Sequence, residues 1–163
     1  MIKDSGNRTQ FDTGAVRDIQ KGKGRMDLVP LGIAARLLDD DCLTYLDKFQ
    51  KDGDYIWLLD AVKKFVQYGA FNGSLETAIL EYSIHLEEGA EKYSERNWEK
   101  GIPLRNYVNS AARHYMKYLR GDDDERHDRA FVWNCLCGAW TARYKPELNE
   151  YLHGEKDEKV QQG

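Results

Sequence analysis

Carboxylates crowd two short stretches of this chain. The segment EEGAEKYSERNWEKGIP, residues 87–103, sets Glu87, Glu88, Glu91, Glu95 and Glu99 beside Tyr93 and Trp98, and DDDERHD, residues 122–128, carries Asp124, Glu125 and Asp128. On a helix, residues three or four apart share a face, so Glu87, Glu88 and Glu91 lie within one turn and Glu95 extends the stripe. Like charges so placed repel, weakly when exposed and more strongly where water is excluded. Either solvent compensates them or a cation does. Two acidic turns facing each other across a bundle can hold a hard cation; oxygen-only ligands favour Mg²⁺ or Mn²⁺ over zinc, and Mg²⁺ commonly bridges carboxylates to substrate phosphates. A nucleotide is then the expected ligand.

The elements that must position these groups read as helices. Leu31, Ala34, Leu38, Cys42, Tyr45 and Phe49 recur at three- and four-residue spacing and predict one helix ending at KDGD; a second begins near Asp54 and stops at GAFNG. Ser74 is a candidate N-cap for a third helix running to about Glu95. Pro103 opens a fourth, with the stripe Leu104, Val108, Ala111 and Tyr115, and Gly121 closes it. A fifth is expected from about Asp123 to Tyr144, and Pro146 permits a short sixth. No segment shows strand alternation or an internal repeat. The expectation is an all-α bundle of five to six helices over residues 28–153, a glycine-rich arm without its own core over residues 1–27, and a fraying tail over residues 154–163.

On the third helix the apolar stripe Leu75, Ile79, Tyr82, Leu86 and Tyr93 lies nearly opposite the glutamates, as on a solvated face. A metal site there needs a second element or another subunit to cover the polar side, so a homo-oligomer is expected. The fifth helix is apolar nearly all round after Asp128, through Phe131, Val132, Trp133, Cys135, Leu136, Cys137, Ala139 and Trp140. It should be central. Glu125 and Asp128 fall on the side of Val132, Leu136 and Ala139, where unpartnered carboxylates would cost several kcal/mol or take up protons.

Composition narrows the function classes. With 163 residues, 41% hydrophobic and 32% charged, the chain suits one domain with a real core, and a net charge of −4 supplies no uniform basic field for nucleic acid. The apolar runs are too short to span a membrane, and MIKDSGNRTQ lacks the hydrophobic region of a signal peptide, so a cytoplasmic location is expected. Cys42, Cys135 and Cys137 cannot all pair internally, and C-x-C lacks the spacing of a zinc knuckle; reduced core thiols are expected.

Beyond the two acidic stretches, FDTGAVRD, GKGRMDLVP, GAEKYSERNWEKGIP and SAARHYMKYLRGDDDERHDRAFVWN occur in that order. Together they resemble the dATP/dGTP diphosphohydrolase family common in bacteriophages, related to the MazG-like all-α nucleoside triphosphate pyrophosphohydrolases; the resemblance covers residues 11–30 and 87–134. It implies Mg²⁺-dependent cleavage between the α and β phosphates of a purine deoxynucleoside triphosphate, giving a monophosphate and pyrophosphate. By position, Glu87, Glu88 and Glu91 correspond to the first metal-binding cluster and Asp124, Glu125 and Asp128 to the second. Relatives often carry an apolar residue at the place of Asp128 and a lysine at that of Glu91. Glu88 is favoured as the base that takes the proton of the attacking water, with Glu91 as a second catalytic candidate.

Cations should meet the outer phosphates: Lys92, Arg96 and Lys100 after the first cluster, Arg113 and Lys117 on the fourth helix, and Lys23 and Arg25 in the arm. GKGR is not a P-loop, but in the family context the arm would close over phosphates or fasten a neighbouring subunit. Tyr93 reads as packing, Trp98 as the base-stacking candidate, and Asn97 and Asn134 as groups able to read a purine edge or to bond within the core. His114 reads as a tautomer-locked histidine, and His127 shares a face with Asn134 beside the expected pocket. Two other readings compete. One is a phosphohydrolase using the dipeptide His127-Asp128 with His85 or His114, weakened because the only later aspartate is Asp157 in the tail. The other is a non-enzymatic helical oligomerisation or regulatory module with solvated acidic turns.

Overall fold

The structure, a computed structural model, describes residues 6–152. A two-stranded antiparallel hairpin, β1 (Arg8–Gln10) and β2 (Val16–Asp18), precedes the helices, with Arg8 opposite Asp18 and Gln10 opposite Val16. Six α-helices follow among the described residues: α1 (Leu31–Leu38), α2 (Asp41–Asp52), α3 (Ile56–Gln67), α4 (Leu75–Lys92), α5 (Leu104–Arg120) and α6 (His127–Tyr144). The fold is an all-α bundle. α6 is its central post, packed against α3, α4 and α5, while α2 packs on α3 and α1 on α2.

The post is central because little of its surface is polar. Phe131, Val132, Cys135 and Cys137 are fully enclosed, and α5 meets them with Leu104, Tyr107, Val108, Ala111 and Tyr115 at helical spacing. Gly138 sets the closeness of the two helices: a Cβ there would lie 3.3 Å from both the Tyr107 Cβ and Leu58 Cδ1. Phe65 of α3 meets Tyr115 and Phe131 edge-on at centroid separations of 5.7 and 4.8 Å. All three cysteines are free and buried, and burial pushes the Cys42 thiol up to about 12.

Several expectations need correcting. The single helix expected over Leu31–Phe49 is two, because Asp39 takes a left-handed conformation (φ 50°) and Asp40 restarts the chain as the N-cap of α2, accepting from the Leu43 N–H at 2.9 Å. The arm contains strands where none were read, and it gives Ala15 to the core of the helices. α4 ends at Lys92, and it packs through Ala78, Tyr82 and Leu86, leaving Leu75 and Ile79 of the expected core stripe 41% and 59% exposed. α6 begins at His127, so Asp124 and Glu125 belong to the preceding loop. Pro146 starts a 3₁₀ turn, Pro146–Leu148, and the tail from residue 153 onward lies outside the described residues.

Asp40 joins three elements. It is 8% exposed, caps α2, and its other carboxylate oxygen takes a short hydrogen bond from the Tyr115 hydroxyl on α5. Asp40→Ala removes a cap and leaves a buried hydroxyl without its acceptor, so a loss of roughly 2–4 kcal/mol is expected in urea denaturation. Tyr115→Phe should cost less, since the cap survives.

Candidate active site

The hairpin lies against the bundle without a core of its own, so side chains from the helices must meet its polar groups. Asn97, in the 3₁₀ turn Asn97–Lys100 after α4, holds Val16 from both sides: its Oδ1 accepts from the Val16 N–H at 2.9 Å and its Nδ2 donates to the Val16 carbonyl at 2.7 Å. The Tyr93 hydroxyl accepts from the Asp18 N–H, and the Asp18 carboxylate pairs with Lys92 at 2.8 Å and Arg8 at 2.9 Å. Thr13 donates to the carbonyl of Gly101, and Asn109 of α5 accepts from the Met26 N–H at 2.7 Å. Held this way, β2 becomes a wall.

Between that wall, the C-terminal half of α4, the middle of α5 and the start of α6 lies a cavity of about 1050 Å³. α4 contributes His85, Leu86 and Glu87, with Tyr93 just after its end; α5 contributes Arg113, His114 and Lys117; the loop before α6 contributes Asp124 and Glu125; the arm contributes Arg17, Asp18 and Lys23. Trp98, Trp133 and Ile102 supply apolar surface. A volume of this size, with aromatic walls and both signs of charge, suits a nucleotide-sized ligand.

The structure treats the sequence candidates unequally. Glu87, Asp124, Glu125, Lys92, Asn97, Trp98, Arg113, Lys117, Asn134 and Lys23 line the cavity; Glu88, Glu91, Asp128, Lys100, His127 and Arg25 are not among its lining residues. Asp128 is neutralised by arginine: Arg126 reaches both its oxygens at 3.0 and 2.9 Å, while Arg126 and Arg129 also grip Glu81 of α4. Arg25 pairs with Asp27 at the surface, and Lys100 is exposed. Lys92 is engaged with Asp18. Asn97 directs both amide atoms to Val16, and Asn134 accepts from Arg17 and donates to the Ala130 carbonyl, so each amide braces the arm or the helix rather than standing free toward the cavity. Trp98 meets Trp140 edge-on at 5.1 Å, leaving a packed wall surface.

Two histidines stand behind the loop carboxylates. His127, buried, contacts Asp124 through Nε2 at 2.7 Å and His114 through Nδ1 at 2.9 Å. With neutral rings, the Asp124 contact makes His127 Nε2 the donor, so its Nδ1 accepts and His114 donates its own Nδ1–H. Burial, with Arg113 and His127 adjoining, holds the His114 imidazole well below its ordinary range. For a metal, the cavity offers carboxylate oxygens from two sides, Glu87 on one and Asp124 and Glu125 on the other. Ligand atoms of His114, Glu125 and His127, and of Asp122, Asp124 and His127, also fall within 4.8 Å of one another. Glu87 belongs to neither cluster; oxygen donors suit hard cations, and mixed nitrogen–oxygen donors suit later transition metals.

The residue most visible in the structure and absent from the sequence candidates is Arg17. Its Nη2 donates to Ser110 at 2.9 Å and Asn134 at 3.0 Å, and burial lowers its pKa against the opposing pull of Tyr107 and Tyr93. Within FDTGAVRD it carried no local signal beyond its charge.

His85 gives the site a pH signature. Burial pushes its imidazole down to about 4, only partly offset by Glu88, against an ordinary 6.5. The unfolded chain therefore binds the proton first, and stability present above about pH 6.5 is lost on acidification toward pH 4. The melting temperature is expected to fall across that interval, and to fall less in His85→Gln.

No helix among the described residues is long and apolar enough to cross a membrane. Comparison with curated proteins and with solved structures returns no match. A family model described as dATP/dGTP diphosphohydrolase, N-terminal, matches residues 62–151, a span that begins within α3, includes both acidic stretches and leaves out the arm. Since that match takes in more than half of the chain and every helix that walls the cavity, the chain belongs to the dATP/dGTP diphosphohydrolase family.

Proposed function

We propose that the protein is a metal-dependent hydrolase that cleaves dATP or dGTP between the α and β phosphates, releasing the monophosphate and pyrophosphate. The observation that carries this reading is that Glu87, from one acidic stretch, and Asp124 and Glu125, from the other, line one cavity with Lys23, Arg113 and Lys117, in a chain of this family. Glu87, Asp124 and Glu125 would hold Mg²⁺ or Mn²⁺, which supplies neutralisation of phosphate oxygens and a bound water of lowered pKa. Lys117 and Arg113 orient the phosphates, and the Trp133 and Tyr93 walls offer apolar surface to the base. The proton of the attacking water goes to a carboxylate on the cavity wall, which favours this trio over Glu88, Glu91 and Asp128.

A second reading rests on the His114, Glu125 and His127 cluster: a histidine-ligated metal phosphohydrolase. The two readings part on products and on mutants. With Mg²⁺ and a panel of triphosphates, monophosphate plus pyrophosphate is expected, with kcat reduced roughly a hundredfold or more in Glu87→Gln and Glu125→Gln and less in Glu91→Gln. Release of intact triphosphate, or an active Glu87→Gln enzyme that depends on His114, would favour the histidine-ligated centre. A non-enzymatic module would show no turnover and no thermal stabilisation by Mg²⁺ with a nucleotide analogue.

The same reading includes a homo-oligomer. Leu75, Ile79, Leu80 and Ile84 form an apolar stripe on the outward side of α4, 41%, 59%, 67% and 36% exposed. An outward stripe of this kind is characteristic of an association surface. Sedimentation equilibrium should show an assembly larger than one chain, shifted toward the monomer by Leu80→Glu.

A further inference from the structure

Two guanidinium groups meet on the wall of the cavity, and each is fixed at one nitrogen while another lacks an acceptor. Arg17 Nη2 is held by Ser110 and Asn134, and Arg113 Nη2 is held by Gln20 at 3.0 Å and the same Ser110 at 3.2 Å. The Nη1 atoms of both arginines are buried with no hydrogen-bond partner. Sharing one hydroxyl makes the two cations neighbours, and like charges removed from water repel. Burial and the proximity of Arg17 lower the Arg113 pKa to about 10. The faces of Tyr107 and Trp133 adjoin Arg17 at 5.6 and 5.5 Å, but they offer no acceptor oxygen. Lys23 stands on the same cavity, and its pKa is lowered by partial burial and by Arg113.

Buried donors of this kind ordinarily find an acceptor, and an unmet charged donor is among the costlier defects a fold can carry. An oxyanion within reach of both Nη1 atoms would supply acceptors and offset the repulsion. Guanidinium forks suit phosphate oxygens in particular. Asp18 and Glu125 lie near these cations, but neither is a hydrogen-bond partner of the Nη1 atoms.

We propose that Arg17 and Arg113, with Lys23 near them, form the subsite for the β and γ phosphates, the group that leaves as pyrophosphate, so that the N-terminal hairpin is a working part of the binding site. This rests on the triphosphate reading for its substrate, but the anion site is testable without it. The probe is inorganic pyrophosphate, titrated calorimetrically into the parent chain, Arg113→Gln and Arg17→Lys, with the deoxynucleoside monophosphate as a control. Pyrophosphate affinity should fall about tenfold or more in each variant, monophosphate affinity should change little, and KM for the triphosphate should rise. Melting curves without ligand identify a variant that has not folded; should Arg17→Lys fail there, Arg113→Gln decides. Unchanged pyrophosphate affinity in a folded variant of a chain that hydrolyses dATP overturns the subsite and leaves the activity standing. Pyrophosphate binding that is lost in the variants of a chain that hydrolyses no triphosphate keeps the anion site and removes the proposed reaction.

Discussion

The paired hydrogen bonds between the Asn97 amide and Val16 are the constraint on which the cavity depends. A strand of three residues paired on one side only cannot stay in place by its ladder. Asn97 imitates a neighbouring strand by offering an acceptor and a donor to one residue, and Asp18, anchored by Lys92 and Arg8, secures the next turn of the chain. With β2 so placed, Arg17 has no choice of environment: it must enter the bundle between Ser110 and Asn134.

The helices divide the work between position and chemistry. α6, enclosed nearly all round, cannot itself carry many ionisable groups, because each would have to be desolvated. The reactive groups therefore sit at its edge, on the loop that enters it, and on the facing sides of α4 and α5. Asn134 is a buried amide inside the post, and its two hydrogen bonds account for it. The Glu81, Arg126, Asp128 and Arg129 cluster ties the start of α6 to α4 away from the cavity, so the same acidic stretch serves both as a clamp and as a wall.

Helices bounded by strong local signals were legible. Pro103 and Gly121 frame α5, Ser74 caps α4 by accepting from the Thr77 N–H, and the apolar run of α6 marks it as the post. The break at Asp39 was not, because the apolar spacing continues across it and nothing in the residue type demands φ of 50°. Strands of three residues are too short to show alternation. Within the site, Glu87, Asp124 and Glu125 could be read as chemistry because carboxylate spacing is local. Arg17 could not, since its partners lie 93 and 117 residues further along. Asp128 differs for the opposite reason: its partner, Arg126, is two residues away and pairs with its charge outside the cavity.

Gly101 shows how tightly arm and bundle are joined. Its φ of +114° suits glycine, a Cβ there would come within 2.6 Å of Leu148 Cδ1, and its carbonyl receives the Thr13 hydroxyl. The first and last described parts of the chain thus converge on one backbone position. Hairpin and helices are thereby joined at one point, so local opening at Gly101 would free the β2 amides and the Leu148 side chain together.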